Sequence, residues 1–315
     1  MYLIRGIHNL KVTDRGCVAT IGNFDGVHLG HQAVIGQLAK KSAEKGLPTC
    51  VISFEPQSAE YFKPQSSPAR LTRLREKLVV LTSFSVDKFL CLAFNKSLSE
   101  LTAEEFIKKI LVDGLGIKYL VVGDDFHFGQ DRTGNFDLLV KAGEEHGFQV
   151  AHTHTFDLEG ERVSSTRVRQ ALEQGDLKQA EKLLGRAYSM SGKVAHGDKR
   201  GRTIGFPTAN VFLHRKQTPL SGVFAVRMLG VESEPLQGVA NIGTRPTVDG
   251  SRTLLEVHLF NFDQEIYGRH VQVEFVRKLR DEIRFESFDD LKKQIFIDAQ
   301  QARECFAAVD ELNDE

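Results

Sequence analysis

The chain has 315 residues, 41% hydrophobic and 26% charged, with 41 Lys+Arg against 42 Asp+Glu and a formal net charge of -1. That length suits two globular domains better than one, and the balanced charge argues against a general nucleic-acid binder, which carries a basic excess. No apolar run reaches transmembrane length, Met1–Lys11 lacks the apolar stretch of a secretory signal, and Cys17, Cys50, Cys91 and Cys305 show no metal-binding spacing. Cys50 and Cys91 lie in apolar runs and read as core thiols, which suits a reducing cytoplasm.

The first half alternates strand-like and helix-like segments. Apolar runs fall at residues 18–21, 49–54, 88–93, 118–122 and 148–152, with amphipathic stretches at 33–45, 71–84, 102–112 and 136–146. Such alternation predicts a parallel sheet covered by helices, which binds ligands beyond the carboxyl ends of its strands. After the first run comes Gly22-Asn23-Phe24-Asp25-Gly26-Val27-His28-Leu29-Gly30-His31. Its glycines permit close backbone approach to a ligand, and the N–H groups of the following helix face an anion. His28 and His31, three apart, can face one pocket.

Two further stretches stand out in this half. Gly123-Asp124-Asp125-Phe126-His127-Phe128-Gly129 follows the fourth run and reads as a ligand-facing loop or a surface turn. Arg162-Val163-Ser164-Ser165-Thr166-Arg167 opens a helical pattern. Its hydroxyls can cap that helix, and with the arginine and the helix N–H groups they can hold a polyphosphate. His152-Thr153-His154 offers two imidazoles on alternate strand positions without a third ligand and is expected to be an exposed strand face.

From Arg186 the texture changes to short alternating segments at 188–196, 222–228, 236–242, 253–260 and 271–275, closed by an amphipathic helix from Phe288 to about Val309. That is the pattern of a small antiparallel barrel. Its densest motif runs from Gly192 through Gly197, Gly201 and Arg202 to Phe206-Pro207-Thr208-Ala209-Asn210. It is no Walker A loop, but basic and glycine-rich segments can cradle phosphates. Glu256 and His258 share one strand face.

Gly22–His31, with its HxGH core, resembles the nucleotidyltransferase superfamily, and the whole set of motifs, in order, resembles the bifunctional bacterial riboflavin kinase/FMN adenylyltransferases, or FAD synthetases. The resemblance implies a Rossmann-like α/β nucleotidyltransferase domain with a parallel sheet over residues 1–185. A small antiparallel β-barrel riboflavin kinase domain with a C-terminal helix is implied over 186–315. It implies that riboflavin is phosphorylated by ATP to FMN, and FMN adenylylated by a second ATP to FAD and pyrophosphate. In the first module, His28 and His31 are then catalytic, and Gly22, Asn23, Phe24, Asp25, Gly26, Arg162, Ser165 and Thr166 bind ATP. In the second, Glu256 is the general base. Gly192, Gly197, Gly201, Arg202, Thr208 and Asn210 bind its ATP, and Thr208 and Asn210 also hold Mg²⁺. Asp125, Phe126, Phe128, Asn241, Gly243, Thr244, Arg277 and Arg280 are implied for flavin. The partners expected are riboflavin, FMN and ATP, with neither nucleic acid nor membrane; oligomeric state is left open. Two other readings stand beside this one: a nucleotidyltransferase for another phosphate, such as a pantetheine or glycerol phosphate, and a non-catalytic flavin- or nucleotide-binding regulator.

Overall fold

The computed structural model describes residues 1–123, 126–153, 156–196, 206–247 and 250–313, with side chains described except at 244–252 and 309–313. The chain forms two compact units: Met1–Pro68 with Thr72–Ser164, and Ala69–Leu71 with Ser165–Glu315.

In the first unit, β1 (Tyr2–Arg5), β2 (Val18–Ile21), β3 (Thr49–Glu55), β4 (Lys88–Ala93), β5 (Tyr119–Val122) and β6 (Gln149–His152) form one sheet in the order β1-β4-β3-β2-β5-β6. Every pairing is parallel. The strands read as unbroken apolar runs because both faces are covered. Along β2 and β3 the side chains alternate between two cores: Ala19, Ile21, Cys50 and Ile52 in one, Val18 and Val51 with Ile35 and Leu38 of α1 (Leu29–Lys45) in the other. The two edges of the sheet grow outward from β2, one through β3 and the other through β5, so the segment after β2 lies at the switch point where such sheets bind ligands. The remaining helices are α2 (Ser58–Phe62), α3 (Leu74–Thr82), α4 (Lys96–Ser99), α5 (Ala103–Phe106), continued by a π-helical turn at Ile107–Val112, and α6 (Phe136–His146).

The sequence pattern does not signal β1, because a half-exposed edge strand lacks the apolar run of its neighbours. It also starts α1 too late. The first turn holds Gly30 and His31, poor helix formers, yet His28 caps it, its ring nitrogen accepting the His31 N–H at 3.3 Å. All four cysteines are buried. A hairpin, β7 (Asp157–Leu158) with β8 (Glu161–Arg162), ends this unit.

The second unit opens with α7 (Ser165–Gln174) and α8 (Leu177–Leu184). Then β9 (Ser189–Ala195), β10 (Ala209–Phe212), β11 (Gly222–Leu229), β12 (Leu236–Thr247), β13 (Gly250–Leu259) and β14 (His270–Arg280) close into an antiparallel barrel in the order β10-β13-β12-β11-β14-β9. Buried alternate residues such as Phe224, Val226, Leu255, Val257, Val273 and Phe275 fill it. Helix α9 (Phe288–Asn313) sets Ala299, Ala302, Cys305 and Phe306 against Val223, Ala225 and Val239. Residues 209–212, too short to announce themselves by alternation, are a strand because both neighbours pair with them. Ala69–Leu71 joins this unit through its carbonyls: Arg169 donates to Ala69, Arg215 to Arg70, and Tyr188 to Leu71.

Candidate active sites

The loop after β2 is held in an unusual backbone shape. Phe24 has φ 48°, Gly26 φ 82° and Val27 φ 43°. Positive φ at Phe and at β-branched Val is costly, and such strain persists only where the surroundings over-determine it. Here they do. The Asn23 carbonyl accepts from Lys77 and, at 3.3 Å, from the Ser53 hydroxyl. The buried Asp25 carboxylate accepts from the Thr72 N–H at 2.9 Å and from its hydroxyl at 3.2 Å. The Gly26 N–H donates to that hydroxyl at 2.9 Å, and Gln32 donates to the Val27 carbonyl at 2.9 Å. Of the residues expected to bind ATP here, Phe24 and Asp25 thus turn their side chains inward, Phe24 into the core; Asn23 is exposed.

Beyond the loop, the His28 and His31 rings stack at 3.7 Å, with Phe24 4.9 Å from His31. Burial, then the positive ends of His28, Lys77 and Arg162, hold the His31 imidazole well below the usual histidine range. His31 is therefore neutral at neutral pH. Among the described residues its buried Nδ1 has no hydrogen-bond partner, so it is open to a ligand or a water. An arriving polyanion meets the imidazole pair with Lys77 and Arg162 already beside it. Arg162 reaches this cluster from β8, and a Cβ on Gly30 would lie 3.2 Å from both the His28 ring and the Val163 carbonyl, so the α1 start and the segment after β8 meet without room for a side chain. Ser165 and Thr166 open α7, in the second unit.

In the loop after β5, Phe126 and Phe128 stack at 5.4 Å, and Phe128 is buried in the core. Phe128 and Gly134 exchange backbone hydrogen bonds, and any Cβ on Gly134 would strike the Phe128 ring at 2.7 Å. Phe126, half-buried against the same core, is the less covered of the pair. At the end of β6, His152 stacks on Phe136 at 3.4 Å; His154 lies outside the described residues. So do Asp125, Gly197, Gly201 and Arg202, and so does the side chain of Thr244.

On the barrel, register builds the second site. Glu256 on β13 stands directly opposite Asn210 on β10 and Asn241 on β12. The row continues from Asn210 to Ala195 and from Asn241 through Val223 to Arg280. Directly paired residues share a face, and the neighbouring Leu255 and Val257 are buried inside, so Asn210, Glu256 and Asn241 form a half-buried polar row outside the barrel. His258, two residues on, bonds the Pro207 carbonyl at 2.9 Å. A carbonyl only accepts, so Nδ1 carries the proton, and the ring fixes the peptide that leads into Thr208. Burial lowers the His258 pKa, against the opposing effect of that bond. Gly192 lies within β9, where a Cβ would meet the Phe212 carbonyl at 2.5 Å. Gly243 faces the Glu282 carboxylate, which a Cβ would displace. Arg277 is exposed. Arg280 gives its guanidinium to Asp298 of α9 through two bonds, 2.9 and 2.7 Å. Among the described residues no three His, Cys, Asp or Glu side chains gather as a metal cage.

Two family models divide the chain along these sites: FAD synthetase matches residues 10–167, and riboflavin kinase matches 184–306. The bifunctional riboflavin kinase/FMN adenylyltransferase of Escherichia coli K12 is 54% identical over 307 residues, 97% of this chain and 98% of that protein. The chain belongs to this family. The Haemophilus influenzae member is 50% identical over 97% of this chain and 99% of its own length, and the Pseudomonas fluorescens member 51% over 96% and 97%. A solved structure described as a macrolide-efflux protein from Streptococcus pneumoniae superposes with TM-score 0.82 at 30% identity, covering 96% of this chain and 99% of that one. Among the described residues of the present family member, no helix is long and apolar enough to cross a membrane.

Thr72, Lys77 and Ser53 escape a reading of sequence, because each reaches the loop after β2 from a distant segment. His258 left a trace, its place on the Glu256 face. Asp298 left none, being one of several carboxylates on an amphipathic helix.

Proposed function

We propose how the two sites divide the work of a bifunctional flavin enzyme. The chain phosphorylates riboflavin with ATP to FMN and adenylylates FMN with ATP to FAD. The observation that carries this assignment is that each family match contains its own polar site: the imidazole pair at the start of α1 in one, the Asn210–Glu256–Asn241 row in the other.

In the first site an ionised phosphate oxygen of FMN attacks the α-phosphorus of ATP, and the bond to the bridging oxygen breaks to release pyrophosphate. No protein nucleophile is required, so the enzyme supplies alignment and charge neutralisation. Neutral His31 donates one hydrogen bond, His28 a second, and Arg162 draws the leaving pyrophosphate; Ser165 and Thr166 at the start of α7 take part in holding it. Gly22, Asn23 and Gly26 contribute backbone to the ATP site, while Phe24 and Asp25 keep its shape. Phe126, Phe128 and Asp125 belong to the flavin side.

In the second site Glu256 takes the proton of riboflavin's primary hydroxyl as that oxygen attacks the γ-phosphorus of ATP. Asn241 and Asn210 flank the carboxylate, and Gly243, Thr244, Arg277 and the Arg280 region border the flavin. The basic loop with Gly197, Gly201 and Arg202, entered from Gly192, lies along the phosphates. Mg²⁺ fits Thr208 and Asn210, whose neutral oxygens are hard ligands suited to an ion that takes most of its others from phosphate and water. When bound, the ion neutralises phosphate charge. The kinase function begins near Gly185, and the buried thiols suit the cytoplasm.

The test is to incubate the protein with riboflavin, ATP and Mg²⁺ and separate the flavins. His28→Ala is expected to accumulate FMN with little FAD. Glu256→Ala is expected to form FAD only from added FMN. A folded variant that loses both activities overturns the division of sites; a wild-type protein that makes neither flavin leaves the regulator, and one that adenylylates only another phosphate leaves the other acceptor.

A further inference from the structure

Lys77 is 1% exposed, one of the large fully buried side chains. Lysines are almost never buried so completely without a partner, and taking an ammonium out of water costs several kcal/mol. Its amine donates to the Asn23 carbonyl. That carbonyl immediately precedes Phe24, the first left-handed residue of the loop. Thr72, just ahead of α3, grips Asp25 and Gly26. One short segment, 72–77, therefore fixes the loop at Asn23, Asp25 and Gly26, on both sides of Phe24. A hydrocarbon of the same length at position 77 would fill the space, but it would leave the Asn23 carbonyl to the longer Ser53 bond and remove a positive charge beside the imidazoles.

On the reading of this unit as the FMN adenylyltransferase, we propose that Lys77 is a positioning residue for adenylyl transfer. Its ammonium fixes the Asn23 carbonyl, and with it the left-handed turn that aims His28 and His31 at the ATP phosphates. The charge is set before substrate arrives, so no reorganisation is needed when negative charge moves onto the leaving oxygen. The groups that face His31 are Phe24 and His28 on its own loop, Lys77 from α3 and Arg162 from β8. Removing Lys77 lets His31 take a proton more easily.

The experiment uses the full chain and measures FAD formation from FMN and ATP across pH, with FMN formation from riboflavin as an internal control of folding. A wild-type protein that forms no FAD from FMN defeats the underlying reading, whatever Lys77 does. Given wild-type activity, Lys77→Met is expected to lower the adenylylation kcat by about tenfold or more, as misplaced catalytic groups do. It should change the KM for FMN by less than about threefold and move the acid limb of the rate profile to higher pH. Riboflavin phosphorylation should stay unchanged. Lys77→Arg keeps the charge, but a planar guanidinium cannot place a donor at the same point. It is expected to lose kcat while leaving the acid limb in place. Wild-type adenylylation kcat in either variant overturns the proposal. If Lys77→Met fails to fold, Lys77→Arg decides alone.

Discussion

Asp298→Ala should loosen α9 from the barrel, and the size of the effect follows from the geometry. Asp298 is 3% exposed. It accepts Arg280 Nε and Nη2 at 2.9 and 2.7 Å and Gln294 Nε2 at 2.9 Å. Removing one partner of a buried ion pair strands the other, at about 3–5 kcal/mol. The Arg280 side chain keeps 20% of its surface in water, so the lower end applies, about 3 kcal/mol. For a unit of this size each kcal/mol moves the midpoint by roughly 2–4 °C, giving a fall of about 6–12 °C. The assay is thermal unfolding followed by circular dichroism and by residual kinase activity. The two units can melt separately, so adenylyltransferase activity serves as the internal reference. The double variant Arg280→Met/Asp298→Ala leaves no stranded charge and should be more stable than Asp298→Ala alone. A midpoint shift under about 2 °C, or a double variant no better than the single, would refute the view that Arg280 anchors the helix rather than remaining available to flavin.

Two other predictions concern the first unit. The native His31 pKa lies below 6.5, the ordinary value, so the unfolded chain takes up a proton that the native state refuses. Stability is therefore fully present above about pH 6.5 and falls as pH drops from there toward the lowered native value. Urea unfolding at two pH values reads this slope, and His31→Phe should flatten it; an unchanged slope counts against the buried neutral imidazole. Gly30→Ala puts a methyl 3.2 Å from the His28 ring and the Val163 carbonyl. Displacing the imidazole by a few tenths of an ångström should slow FAD formation by about tenfold with riboflavin phosphorylation untouched, and an unchanged rate would show that the ring yields without consequence.

The order of modules, the parallel sheet, the barrel and the catalytic candidates follow from sequence, for a physical reason. Buried parallel strands are continuous apolar runs, a half-buried barrel alternates, and the histidines and glycines of the first candidate site lie within ten consecutive positions, so their spacing is set by local geometry. The supports of those groups do not show in the sequence. Thr72 stands 46 positions from Gly26, and Lys77 54 from Asn23; only the packing of α3 beside β2 makes them partners. The same holds for the second site. Glu256 alone is one strand glutamate among many, and it becomes a site when the barrel's register sets Asn210 on one side of it and Asn241 on the other. Arg280 is a different case: the family resemblance implies it for flavin, and the tertiary fold pairs its guanidinium with Asp298. Sequence singles out the candidate groups of the first site because they are clustered along the chain. Tertiary structure decides what holds them, which are neutral and which are already engaged, because burial and charge depend on neighbours that only folding brings near.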